Sequence, residues 1–130
     1  MNFRNLAFFV ITTCFAGAAV AQSVDFIEPK NGATVPATFK VKFAVEGMSV
    51  APAGEINPGT GHHHLLIDTA DIEENVAIPM DDKHRHFGKG QTETEITLPP
   101  GKHKLTMQFA DGAHRSYGPK FRKTIEIEVK

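Results

Sequence analysis

Histidine is the residue type in this chain with the most chemistry to offer. All seven histidines fall between positions 62 and 114, grouped as His62-His63-His64, His84-x-His86, His103 and His114. Along a β-strand, residues two apart project to the same face, roughly 6.5–7 Å apart. Two imidazoles at that spacing can converge on one ion. An H-x-H on a strand is therefore a bidentate seed for copper(II) or zinc(II), both of which imidazole suits. His62 and His64 make one such pair. His84 and His86 make a second, with Asp81 and Asp82 just before it. With His114, these five are the candidate metal ligands. A ligating imidazole must be neutral, so affinity is expected to fall as pH drops through about 6.5.

The elements that position these residues follow from hydrophobic alternation. In "TFKVKFAVEG", Phe39, Val41, Phe43 and Val45 alternate with Lys40, Lys42 and Ala44, the period of a half-buried strand. "HHHLLID", "TETEITL", "HKLTMQFA" and "FRKTIEIEVK" repeat the pattern, and "PPG" and "ADG" punctuate them. No segment keeps a helical period for three turns. Only "TADIEENVA" reads as a short helix, with Thr69 as its cap. These signals predict an all-β fold, an immunoglobulin-like antiparallel β-sandwich of six or seven short strands. A small closed barrel is the structural alternative. Phe26, Phe39, Phe43, Phe87, Phe109 and Phe121 are expected in its core, Tyr117 as a loop anchor, and the last strand as an edge. Two long irregular stretches, residues 47–61 and 78–91, are candidates for functional loops.

Parity divides the triplet. If Leu65 and Ile67 point into the core, His63 points in with them, as a hydrogen-bonded inner histidine. His62 and His64 then share the opposite face. If "GHHHLLID" lies antiparallel to "GKHKLTMQFA", the "DGAH" loop with Asp111 and His114 comes near His62 and His64. The same pairing sends His103 to the far end, as a surface residue. Asp68, Asp81 and Asp111 are candidates for fixing the tautomer of a ligating ring.

The chain begins with Arg4, an apolar run from Leu6 to Val20, and the small-x-small signal Ala19-Val20-Ala21. This is the pattern of a secretory leader over residues 1–21, cleaved after Ala21, with one β-sandwich domain over 22–130. Cys14, the only cysteine, would leave with the leader, so neither a disulfide nor a thiolate ligand is expected afterwards. Only Met48, Met80 and Met107 would remain, which argues against copper(I) held by a methionine cluster. The expected location is periplasmic or secreted, with no membrane span in the mature chain. Basic residues are interspersed with acids at a formal net charge of −1, which excludes a nucleic-acid footprint.

"GTGHHHLLID" and "IPMDDKHRHFGKGQTETEITLPPGKHKLTMQFADGAHRSYGP" together resemble a family of small bacterial exported domains, itself of unknown function, over roughly residues 57–119. A looser pattern, G-H-x-H-x-x-x-D, then P-x-G-x-H-x-L, then D-x-x-H, is similar to that of other exported β-sandwich domains. The resemblance implies a secreted sandwich and highlights His62, His64, Asp68, His103, Asp111 and His114. It therefore gives weight to His103, which strand geometry discounts. Likeness to copper–zinc superoxide dismutases stops at the H-x-H, because their cysteine pair is absent.

The function expected from all this is an exported protein binding copper(II) or zinc(II) in metal handling or tolerance. The alternative is a non-catalytic structural or interaction domain of the cell envelope, with another envelope protein as partner and hydrogen-bonded histidines. Catalysis is not expected. Ser23, Ser49 and Ser116 lie in no nucleophile-elbow context, and Glu73-Glu74 and Asp81-Asp82 read as solvated charge.

Overall fold

The alternating segments become strands wherever one parity can be buried. The computed structural model describes residues 10–14, 16, 17 and 22–130; most of the expected leader and its cleavage site lie outside the described residues. Among the described residues nine strands form: β1 (Ser23–Glu28), β2 (Thr34–Val35), β3 (Thr38–Glu46), β4 (Ser49–Val50), β5 (Thr60–Ile67), β6 (His84–His86), β7 (Glu93–Thr97), β8 (Gly101–Ala110) and β9 (Arg122–Val129). One sheet runs β1-β3-β7. The other runs β2-β9-β8-β5-β4, with β6 also paired to β5. The long pairings are antiparallel, whereas the two-residue β2 and β4 lie parallel to β9 and β5. The fold is the expected immunoglobulin-like β-sandwich, with six strands of five or more residues and three very short ones.

The core lies between the sheets. Val24, Phe26, Phe39, Val41, Phe43 and Ile96 from the small sheet meet Leu65, Ile67, Leu105, Met107, Phe109, Ile125 and Ile127 from the large one. All six phenylalanines expected inside are buried. Among the described residues no helix is long and apolar enough to cross a membrane.

Three local expectations are corrected. "TADIEENVA" forms no helix. Its backbone instead pairs with the segment after β8: the Asn75 N–H donates to Ser116, Ser116 to Val76 and Ile78 to His114, at 2.8–3.0 Å. The helix register loses because these ladder bonds satisfy the backbone while burying Ile78. The stretch 78–91 is partly ordered as β6. Finally, β9 is covered at its end, where Thr34 and Val35 of β2 pair with Glu128 and Val129, and stays an edge only before that.

Strand β5 departs most from a half-buried strand, with seven of its eight residues buried. His63, Leu65 and Ile67 face the core. On the other face, Leu66 and Ile78 are buried yet lie outside the main apolar cluster. Segments 75–78 and 114–116 pair with each other, and His114 of the second meets His62 on this face. His62 and His64 lie out of water here.

Candidate metal centre

His62 and His64 stand on the outer face of β5, opposite Ala110 and Gln108 of β8. On the other side of β5, His86 of β6 is the direct cross-strand partner of His64, and His84 that of Leu66. His114 comes from the turn that leaves β8, as the antiparallel pairing predicts.

That turn is built by Asp111. Its Oδ1 accepts the N–H groups of Ala113 (2.9 Å) and Arg115 (3.0 Å), and its Oδ2 accepts Arg115 Nε at 2.9 Å. The His114 N–H donates to the Asp111 carbonyl at 2.9 Å, and His114 itself adopts φ 64°. Few non-glycine residues enter this left-handed region without such local support. Gly112 is required because a Cβ there would collide with the Glu55 carbonyl, and Gly61 because one there would collide with that of Ala110. The Tyr117 hydroxyl donates to the Thr60 carbonyl at 2.7 Å, the anchoring role expected for it. An aspartate followed by a glycine is a common signature of such a turn, and "ADG" marks it in the sequence.

The outcome is convergence. His62 Nε2 lies 2.9 Å from His64 Nε2 and 3.0 Å from His114 Nδ1. One ring nitrogen from each of the three lies within 4.8 Å of the other two, the spacing of a candidate ion site. His62 and His64 have no exposed surface, and His114 is partly exposed. The His86 ring borders all three, its centroid 5.2 Å from that of His114, 6.0 Å from His64 and 6.3 Å from His62. His84 turns to Asp81 instead, with Nδ1 to Oδ1 at 2.7 Å.

Electrostatics keep the buried rings neutral. Burial, then the neighbouring His114 and His86, push the pKa of His62 down from 6.5 to about 4. Burial and the surrounding histidines take His64 down to about 2. The neutral form a metal requires therefore persists at these two positions well below pH 6.5, which corrects the simpler expectation from free imidazole. No carboxylate bonds the ring of His62, His64 or His114. Asp68 and Asp81 serve His103 and His84, while Asp111 serves its own turn. The expected role of these acids in fixing the ligand tautomers is not what the contacts show.

The nitrogen set fits an ion. Bonds of 2.0–2.1 Å to tetrahedral zinc place ligand nitrogens about 3.3 Å apart, close to the 2.9 and 3.0 Å found. Three nitrogens sharing one point without an ion must rely on ring-to-ring hydrogen bonds alone. The Nδ1 atoms of His62 and His64, on the other side of each ring, are buried with no partner.

Two other histidines behave unlike their expectations. His63 does point inward, wedged between Phe43 (centroids 5.1 Å apart) and Phe109 (5.0 Å), but neither of its nitrogens has a hydrogen-bond partner. Burial and then His62 lower its pKa to about 4. His103 is at the far end of β8, yet it is no free surface residue. Its Nδ1 meets Asp68 Oδ2 at 2.6 Å and its Nε2 meets the Pro99 carbonyl at 2.7 Å. The weight that the resemblance gave Asp68 and His103 is thus answered by a contact remote from the cluster.

The architecture defines an all-β sandwich with a histidine cluster under one outer face. The chain belongs to the family described as Domain of unknown function (DUF4399), whose model matches residues 41–130 and so takes in every histidine. No curated protein matches the chain. Among solved structures it is similar to an endo-β-1,4-mannanase from Thermotoga petrophila (13% identity, TM-score 0.45), over 84% of this chain. It spans only 20% of that enzyme. It is also similar to fibronectin(III)-like modules of CbhA from Clostridium thermocellum (15% identity, TM-score 0.47), over 82% of this chain and 96% of that one. At such values neither likeness says anything about activity.

Proposed function

We propose that this is an exported protein of the cell envelope that binds copper(II) or zinc(II) through His62, His64 and His114, in metal handling or tolerance. The observation that carries this is the approach of three ring nitrogens to within 4.8 Å, two of them on fully buried side chains. Without an ion the converging nitrogens have only one another as partners, and an ion at the centre gives all three a common one. The leader-like start of the chain supports export. Binding rather than turnover is favoured by the lack of an activated serine or a usable cysteine near the cluster.

The envelope interaction domain is the second reading. Its hydrogen-bonded histidine is His103, with both nitrogens engaged. It does not account for the approach of His62 and His64 to His114 at one point.

Calorimetric titration of the purified protein with copper(II) and zinc(II) at neutral pH tests the proposal. We expect one ion per chain, and loss of binding in His62→Gln/His64→Gln. A dissociation constant no tighter than roughly 10 µM for both ions would remove it.

A further inference from the structure

The three-histidine group leaves open what completes the coordination sphere. An open fourth position suits catalysis, whereas a fourth protein ligand makes a closed site. The rings themselves discriminate. Four imidazoles pointing radially at one ion, with nitrogens 2.0–2.1 Å away, place their centroids about 3.2 Å from it. A regular tetrahedron of such rings has edges of about 5.2 Å. The six centroid separations among His62, His64, His86 and His114 are 4.7, 4.9, 5.2, 5.6, 6.0 and 6.3 Å. They bracket that edge.

The pattern of the departures is also informative. A square arrangement has two long diagonals that share no corner. Here the two longest separations both end at His86, on His62 and His64. The figure is a tetrahedron with one vertex drawn outward. Shortening those two separations by about 1 Å would regularise it. His86 is placed to make that movement. It sits on three-residue β6, hydrogen-bonded across to β5 with His64 directly opposite, and it keeps partial exposure. Gly88 makes room for its ring, since a Cβ there would lie 3.0 Å from His86 Cδ2 and 3.2 Å from Nε2.

We infer that His86 is the fourth ligand, and that His62, His64, His86 and His114 form a closed, tetrahedral, all-imidazole shell suited to zinc(II) rather than to square-planar copper(II). This rests on the metal-binding reading above and adds to it the ligand count, the geometry and the preferred ion. A closed shell has no place for an activated water, so the ion is held as cargo or as a staple. It also ties β6 to β5 and to the turn after β8.

X-ray absorption at the zinc edge of the purified, zinc-loaded protein tests this directly. The expected first shell is four nitrogens near 2.0 Å with imidazole scattering beyond. In His86→Ala it should become three nitrogens and one oxygen, with zinc affinity at least tenfold weaker, while His103→Gln leaves both unchanged. Copper(II) forced into the site should give the electron paramagnetic resonance signature of a flattened tetrahedron. Three nitrogens plus an oxygen in the unaltered protein, unchanged affinity in His86→Ala, or an ordinary tetragonal copper signal would each overturn the inference. If His86→Ala does not fold, the spectrum of the unaltered protein still decides. Absence of zinc binding in the unaltered protein would instead fail the metal-binding reading itself.

Discussion

His63 shows how little a residue's type says about its state. It is fully buried between two phenylalanine rings with both nitrogens unpartnered, two atoms that cost desolvation and return no hydrogen bond. Its ring shape is used and its polarity is not. His63→Phe should therefore be neutral or stabilising by up to about 1 kcal/mol, read as the urea midpoint at constant slope. A loss above about 2 kcal/mol would mean that the imidazole has a partner. Sequence parity set the direction of this side chain correctly, because Leu65 and Ile67 fix the inner face. It could not supply the partners, because those depend on which side chains arrive from β3 and β8, far along the chain.

At the level of elements, the far end of β5 is fastened by a pair whose charge state follows from its partners. A carboxylate and a carbonyl can only accept, so two hydrogen bonds here need both His103 nitrogens to donate, which favours the protonated ring. The hydrogen bond to Asp68 is the main cause raising the pKa of His103, against some burial. For Asp68, burial opposes ionisation, but the bonds from His103 and the Lys104 N–H prevail and lower its pKa. The signs differ. The His103 contribution is complete below its unfolded pKa of about 6.5 and disappears as pH rises through its raised folded value. The Asp68 contribution is present above about 3.8 and disappears as pH falls through its lowered one. His103→Gln should cost about 1 kcal/mol at pH 6, allowing for solvent screening, and much less at pH 9, by chemical denaturation at both values. An equal cost at both would refute the charged clamp. The meeting of the "DGAH" turn with His62 and His64 was legible once "GHHHLLID" and "GKHKLTMQFA" were paired as antiparallel neighbours, the pairing found between β5 and β8. The pairing of 75–78 with 114–116 was not, since "TADIEENVA" has helix-like composition and is drawn into pairing only by the distant segment.

For the molecule as a whole, the proposed site would couple ion binding to folding. His62, His64 and His114 are brought together by β5 and by the turn after β8, about fifty residues apart in sequence, so the unfolded chain lacks the site. An ion that binds only the folded form adds about 2.7 kcal/mol when free ion is one hundred times the dissociation constant. In a domain of this size we expect a rise of several degrees in midpoint temperature by scanning calorimetry, reversed by chelator. An unchanged midpoint at saturating zinc and copper would contradict the coupling.

Protonation of His103 also bears on how the protein behaves as a colloid. The formal charge of −1 over 130 residues counts every histidine as neutral and includes Arg4; over residues 22–130 it is −2. A proton on His103 brings that to −1, and a divalent ion held by neutral rings would bring it to +1. So close to neutrality, two charges decide the direction of migration in an electric field. Whether the chain is loaded then governs its mutual repulsion, and with it its solubility at neutral pH.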